Sequence, residues 1–240
     1  MLRAVTLERI EAYYDAAPRG AARVEEIGPF TLFVSTGPWP YYARPRLGLE
    51  HAFTADEVEA VRARQRELGV PEAFEWVHET TPSLLAAMSL PVMQAPLMVL
   101  AGAVPAAADA EVRMIDADDP LLDAAVAAQD RGFGGTGEGV EDRAAFLRER
   151  LASGATRMAI AVVDGAVVGV GQHQPVGAVT EIVGVATVPE ARRRGIAGAV
   201  TARLVEDAAA DIVFLSAGED AARVYARLGF ERRATACIAG

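Results

Sequence analysis

TEIVGVATVPEARRRGIAG, residues 180–198, is the stretch whose reading decides the fold. An apolar run and a proline lead into three consecutive arginines, and Gly-Ile-Ala-Gly then opens an alanine-rich segment. That order predicts a strand feeding straight into a helix N-terminus, where backbone N–H groups lack intrahelical partners and point forward. An anion suits such an end. Arg192, Arg193 and Arg194 stand at the wrong end of the helix dipole, each costing roughly 0.3 to 1 kcal/mol when exposed. They are either a solvated charge run or residues kept for an anionic ligand. Gly195 and Ala197 favour the ligand, because small residues in the first turn let a bulky anion reach the backbone.

Periodicity extends the pattern in both directions. Downstream it predicts a helix to about Ala210, a strand over residues 212–217 and a second helix ending in Tyr225-Ala-Arg-Leu-Gly-Phe230. Upstream it predicts a strand over 111–115, a helix over 120–129 begun by Pro120, a glycine-rich loop and a helix over 141–151. Two further strands, 158–163 and 167–172, flank Asp164-Gly165, a strong hairpin signal. The first hundred residues repeat the theme: a strand at 30–35, a helix at 54–68 capped by Thr54 with Glu57 in capping-box position, and a strand at 73–77. A helix at 82–88 and a strand at 92–100 complete it. Linker composition at 102–109, GAVPAAAD, predicts two domains, 1–105 and 110–240.

Arg192-x-x-Gly195-x-Ala197 resembles the pyrophosphate loop of the GNAT superfamily of acyl-CoA-dependent N-acyltransferases. Tyr225-x-x-Leu228-Gly229-Phe230 resembles that family's later signature, in the right order and at a family-like separation. The resemblance covers roughly residues 111–240. It implies an α/β (α+β) fold with a GNAT-type mixed, mostly antiparallel central sheet flanked by helices, and acetyl-CoA as co-substrate. The series from 54 to 100 parallels that from 195 to 238 and implies a smaller, degenerate GNAT-like N-terminal half, in which nothing matches the pyrophosphate loop.

By the same resemblance, Arg192, Arg193, Arg194, Gly195, Ile196, Ala197 and Gly198 hold the cofactor's pyrophosphate. Val185, Ala186 and Thr187 pair with its pantetheine arm, with backbone N–H groups near Val185 and Ala186 meeting the thioester oxygen. Tyr225 falls at the general-acid position, and a tyrosine of ordinary pKa protonates a departing thiolate at a cost of about 2 kcal/mol. An amine acceptor must lose a proton first, at roughly 4 to 5 kcal/mol for a lysine-like group at pH 7, and Glu181, fourteen residues before Gly195, is the candidate base. The implied function is direct acetyl transfer to a primary amine. The alternative is a catalytically weak CoA-binding sensor or scaffold.

Composition sets the outer limits. Of 240 residues, 52% are hydrophobic and 23% charged, a globular composition with ample core. Twenty-three Lys and Arg against 33 Asp and Glu give a net charge of −10, which disfavours nucleic acid and leans towards a small-molecule or peptide amine as partner. A second copy of the chain is also an admissible partner. The single cysteine, Cys237, reads as a buried thiol and implies a cytoplasmic setting. Residues 1–12 are charged and amphipathic, predicting no secretory leader. Residues 82–108 lack charge, but Pro91, Pro96 and Pro105 cut them too short for a membrane span.

Three other features carry weaker claims. Residues 132–137, GFGGTG, spell a dinucleotide fingerprint but follow a predicted helix instead of a strand; the family resemblance implies a loop over the acceptor site, and the alternative is a plain connector. His51, His78 and His173 show no metal-ligand spacing, so no metal is expected. Trp39, Tyr41 and Tyr42 suit aromatic packing or an acceptor pocket.

Overall fold

The computed structural model describes residues 2–103 and 105–240, so Val104, within the expected linker, lies outside the described residues. Its contacts divide it into two compact units. The first comprises Met1–Leu97 with Ser216–Glu219 and Arg232–Gly240, and the second Met98–Leu215 with Asp220–Glu231.

In chain order, the elements are α1 (Leu2–Ala16), β1 (Ala22–Ile27), β2 (Phe30–Ser35), β3 (Ala43–Pro45), α2 (Ala55–Leu68), β4 (Phe74–Val77), α3 (Ser83–Ala87) and β5 (Val92–Leu100). There follow β6 (Glu111–Ile115), α4 (Leu122–Gly132), α5 (Glu141–Ala152), β7 (Arg157–Val163), β8 (Ala166–Val176), β9 (Val179–Thr187), α6 (Ile196–Asp207), β10 (Ile212–Ser216) and α7 (Glu219–Arg227). The closing strand is β11 (Phe230–Ala239).

Within the first unit, β1, β2, β3, β4 and β11 lie side by side, antiparallel except for β3 with β4. The tail returns here because β11 pairs with β4 from Ala236↔Val77 to Ala239↔Phe74. Phe30, Leu32, Phe74, Trp76 and Cys237 pack with Val58 and Val61 of α2 to form the core. The expected capping box is present: Thr54 accepts from Glu57 N, and the Glu57 carboxylate accepts from Thr54 N at 2.9 Å. Cys237 is fully buried, and burial pushes its thiol up to about 11.

The second unit has strand order β10-β9-β8-β7-β6, antiparallel except for β10 with β9. The β7–β8 turn has the sequence reading's geometry, with φ of 50° at Asp164 and 79° at Gly165. Helices cover both faces of this sheet. Side chains alternate along a strand, and on β8 the Gly171 position faces Val200 and Leu204 of α6 whereas Gln172 bonds to Gln129 of α4. The expected start of α4 moves: Pro120 precedes the helix, and the Asp119 carboxylate accepts from Leu121 N at 2.9 Å. Among the described residues no helix is long and apolar enough to cross a membrane.

Candidate active site

Two irregularities in β9 create the site. β10 pairs with β9 only at Val179, Thr180 and Glu181, yet β9 runs on to Thr187, so the strands part company midway. On its other side the register with β8 slips, from Gln172↔Val183 to Val170↔Ala186, which sets Gly184 and Val185 together opposite Gly171. That is a β-bulge. Gly184 has φ of +62°, a backbone region that favours glycine. Below the bulge the strand is anchored by buried His173, whose Nδ1 lies 2.9 Å from Thr180 Oγ1 and whose Nε2 lies 3.1 Å from Asp207. Burial lowers the pKa of His173, and the Arg157 guanidinium holds Asp207 down at about 2. With Thr180 fully buried, this is an anchor and not a reaction centre.

Beyond β9 the arginine loop delivers the chain to α6. Gly195 occupies the N-cap position at φ 79°, and no side chain caps the helix. Arg193 also has positive φ, 64°, a strained conformation worth about 1 to 3 kcal/mol for a residue with a side chain. A groove of about 700 Å³ opens in front of these amides. Its walls are Val185, Ala186 and Thr187 of β9, Gly195 with Ile196, Ala197 and Gly198 of the first turn of α6, Val224 and Arg227 of α7, and Leu228 just beyond it. Thr187 Oγ1 is buried in that wall with no hydrogen-bond partner.

The ten expected cofactor residues do not behave alike. Nine line the groove, Arg192 and Arg193 among them, and Arg194 does not. The guanidinium of Arg192 is already engaged: Nη2 donates to Gly132 O at 2.8 Å and Nε to Thr187 O at 3.3 Å. Since Gly132 ends α4, its carbonyl is one of the orphan acceptors of a helix C-terminus, where a cation is favourable. Arg192 thus ties three segments together around the groove.

Neither expected catalytic side chain lines the groove. Glu181 is half-buried, three residues before the bulge glycine, in register with Gln174 of β8 and Phe214 of β10. Val224 and Arg227 of α7, with Leu228 just after it, face the groove, and Tyr225 stands one residue round, its ring edge-on to Phe230 at 6.1 Å. Burial pushes the Tyr225 phenol up to about 12.

Several wall residues escaped the sequence reading: Ala106, Ala107, Gly132, Ala191, Val224, Arg227 and Leu228. Leu228 sits inside the second signature, and Gly132 is the first glycine of GFGGTG. A Cβ on Gly132 would stand 2.7 Å from Ala186 Cβ, so that glycine serves close packing beneath the groove. Trp39, Tyr41, Tyr42, His51 and His78 all belong to the first unit: Tyr42 stacks edge-on against Phe33, and His51 lies 2.8 Å from Glu57.

Residues 126–230 match the acetyltransferase (GNAT) family model. The chain carries a GNAT acetyltransferase domain. That assignment puts its chemistry in the class of acyl-CoA-dependent acetyl transfer, and the matched span contains every groove-lining residue except Ala106 and Ala107. Solved structures agree on the fold across nearly the whole chain. A GCN5-related N-acetyltransferase from Kribbella flavida superposes with a TM-score of 0.70 at 21% identity, covering 96% of this chain and 93% of that one. A tandem GNAT protein from the clavulanic acid biosynthesis pathway gives 0.57 at 18% identity over 88% and 78%. A functionally unknown conserved protein from Staphylococcus epidermidis gives 0.60 at 13% over 91% and 92%. No curated protein matches the chain by sequence. The GNAT domain accordingly rests on the family model, and the likeness of the remainder is one of fold.

Proposed function

We propose that the groove of the GNAT domain binds acetyl-CoA and that the protein passes its acetyl group directly to a primary amine of a small molecule or peptide. The observation that carries this is the coincidence, at one groove, of an uncapped helix N-terminus, a bulged strand and a parted strand pair. The amides around Gly195 suit a pyrophosphate. The buried, unpartnered Thr187 hydroxyl suits a polar group of the pantetheine arm lying along β9. Donors at Val185 and Ala186 would stabilise the charge that develops on the thioester oxygen as the amine attacks. The acetyl carbon–sulfur bond then breaks, the amine gives up a proton, and the CoA thiolate gains one.

Glu181 is the proposed base and acts through water, since it does not line the groove. Tyr225 is proposed as the donor to the departing sulfur. With its phenol near 12, full transfer to a thiolate of pKa about 8.5 would be uphill by about 5 kcal/mol. Its part is therefore that of a hydrogen-bond donor that stays protonated. The N-terminal half, residues 1–105, is inferred to be a degenerate GNAT-like domain without a cofactor site of its own.

A second reading has specific support. Glu181 and Tyr225 both lie off the groove wall, as in a CoA-binding sensor with weak turnover. Thiol release from acetyl-CoA, followed over a panel of amines with wild type, Glu181→Gln and Tyr225→Phe, separates the two. A transferase releases thiol with at least one amine and slows at least tenfold in each variant while keeping its CoA affinity. Unchanged release removes both assignments, and binding without release by wild type favours the sensor.

A further inference from the structure

The bulge that shapes the groove is held from outside it. Gln129, on α4, donates from Nε2 to the carbonyl oxygen of Gly184 at 2.7 Å. Its own Oε1 accepts from Gln172 Nε2 at 3.3 Å, and Gln172 is 6% exposed. The polarity of this chain is fixed by its end: a carbonyl can only accept, so Gln129 must present its NH₂ to Gly184 and its oxygen to Gln172. There is no slack in the arrangement. A Cβ on Gly184 would collide with Gln129 Nε2, so the glycine gives the amide the room it occupies.

A trans peptide points its C=O and its N–H in opposite directions, and the described residues contain no cis bond. Drawing the Gly184 carbonyl towards α4 therefore turns the N–H of the same peptide, that of Val185, away from α4. Val185 lines the groove, and α4 and α6 cover opposite faces of the sheet. We propose that Gln129, backed by Gln172, is a positioning residue that aims the Val185 N–H at the thioester oxygen. This rests on the reading of the groove as an acetyl-CoA site. Neither glutamine is among the residues lining the groove, so their effect passes through the backbone of Gly184.

The test uses Gln129→Met, which keeps length and volume but removes both hydrogen-bonding groups, with Gln172→Met and the double variant. Thiol release from acetyl-CoA, to the best amine of a panel or to water, is compared with acetyl-CoA affinity from calorimetry. Removing an oxyanion donor outright costs about 10²- to 10³-fold in kcat, so misaiming one should cost about 10- to 100-fold. Gln129→Met should lose that much kcat with its dissociation constant within about twofold of wild type. Gln172→Met should lose about threefold, and the double variant should match Gln129→Met, because both residues act on one carbonyl. A kcat within twofold of wild type, or kcat and affinity falling together, overturns the proposal.

If wild type binds acetyl-CoA but releases no thiol, acetyl transfer fails as the function and the clamp is judged by NMR. The Val185 amide resonance should then shift on CoA binding in wild type and lose that response in Gln129→Met. An equal response in both overturns the clamp independently.

Discussion

The two units treat a helix N-terminus and an arginine in opposite ways. In the first, α2 begins with a closed capping box: Thr54 and Glu57 satisfy each other's backbone donors, and Asp56 and Glu57 complement the dipole. In the second, α6 begins at Gly195 with no capping side chain and no acidic residue in its first turn. The arginines follow the same division. Arg44 is buried against the Tyr14 ring at 4.1 Å with Glu11 at 3.3 Å and Glu75 at 3.9 Å, whereas Arg193 and Arg194 are exposed beside the open helix end. One unit spends its polar groups on itself, and the other leaves donors for a ligand. Of these two helix starts, only that of α6 leaves its first backbone donors without a side-chain cap.

The largest expected effect lies on the self-satisfied side. Arg44→Met removes the cation from Glu11 and the packing on the Tyr14 ring, while Glu75 takes up a proton, and should destabilise the protein by about 3 kcal/mol, the lower end of the cost of breaking a buried pair. Urea denaturation measures it. A loss below about 1 kcal/mol would mean that the buried arginine is not structural, and the contrast would weaken.

Next in size is the attempt to make α6 resemble α2. Gly195→Asp places a carboxylate where α2 has its cap, and aspartate tolerates left-handed φ better than most residues. It should lower acetyl-CoA affinity about 100-fold, or 2.7 kcal/mol, by occupying and repelling at the pyrophosphate position. Calorimetry reads the change. Affinity within threefold of wild type would show that the anion is held elsewhere.

Much of this contrast is visible in the sequence because caps and turns are local. Thr54 and Glu57 are three residues apart, and Asp164-Gly165 forms its turn within two. The strands at 30–35, 92–100 and 111–115 match those observed, and the mixed, mostly antiparallel fold class follows from the two GNAT signatures. What escapes the sequence is whatever depends on partners far along the chain. Arg192 reads as an anion ligand until its guanidinium is found on Gly132 O, 60 residues away. Gln129 looks like an ordinary helix residue until it meets Gly184, 55 residues on. The three-residue β3 carries too little periodicity to detect, and β11 joins the first unit through a pairing that no linear composition shift reveals.

Buried charge in the first unit also predicts a pH dependence. Burial raises the Glu75 carboxyl to about 7, with Arg44 pulling the other way. A group whose folded pKa is raised keeps its proton when the unfolded chain has lost it, so its contribution is full below about pH 4.3 and fades as pH rises through 7. For a shift of this size the loss between pH 5 and 8 is on the order of 2 kcal/mol. Glu75→Gln should flatten the wild-type decline in urea midpoint across that range. A decline that survives the substitution assigns the effect to another group.

Thr54→Ala tests the comparison at its most local point. Losing the hydroxyl frees the backbone donor of Glu57 and removes the hydroxyl's own bond to the Glu57 carboxylate, which typically costs about 1 kcal/mol. The urea midpoint should fall accordingly, while acetyl-CoA affinity stays within error, because this helix start carries its own cap and two acidic residues in its first turn, which repel an anion. The informative result is the second one. Were affinity to drop with the cap, the N-terminus of α2 would belong to a ligand site after all, and the distinction between a closed and an open helix start would no longer support placing the proposed cofactor site in one unit alone.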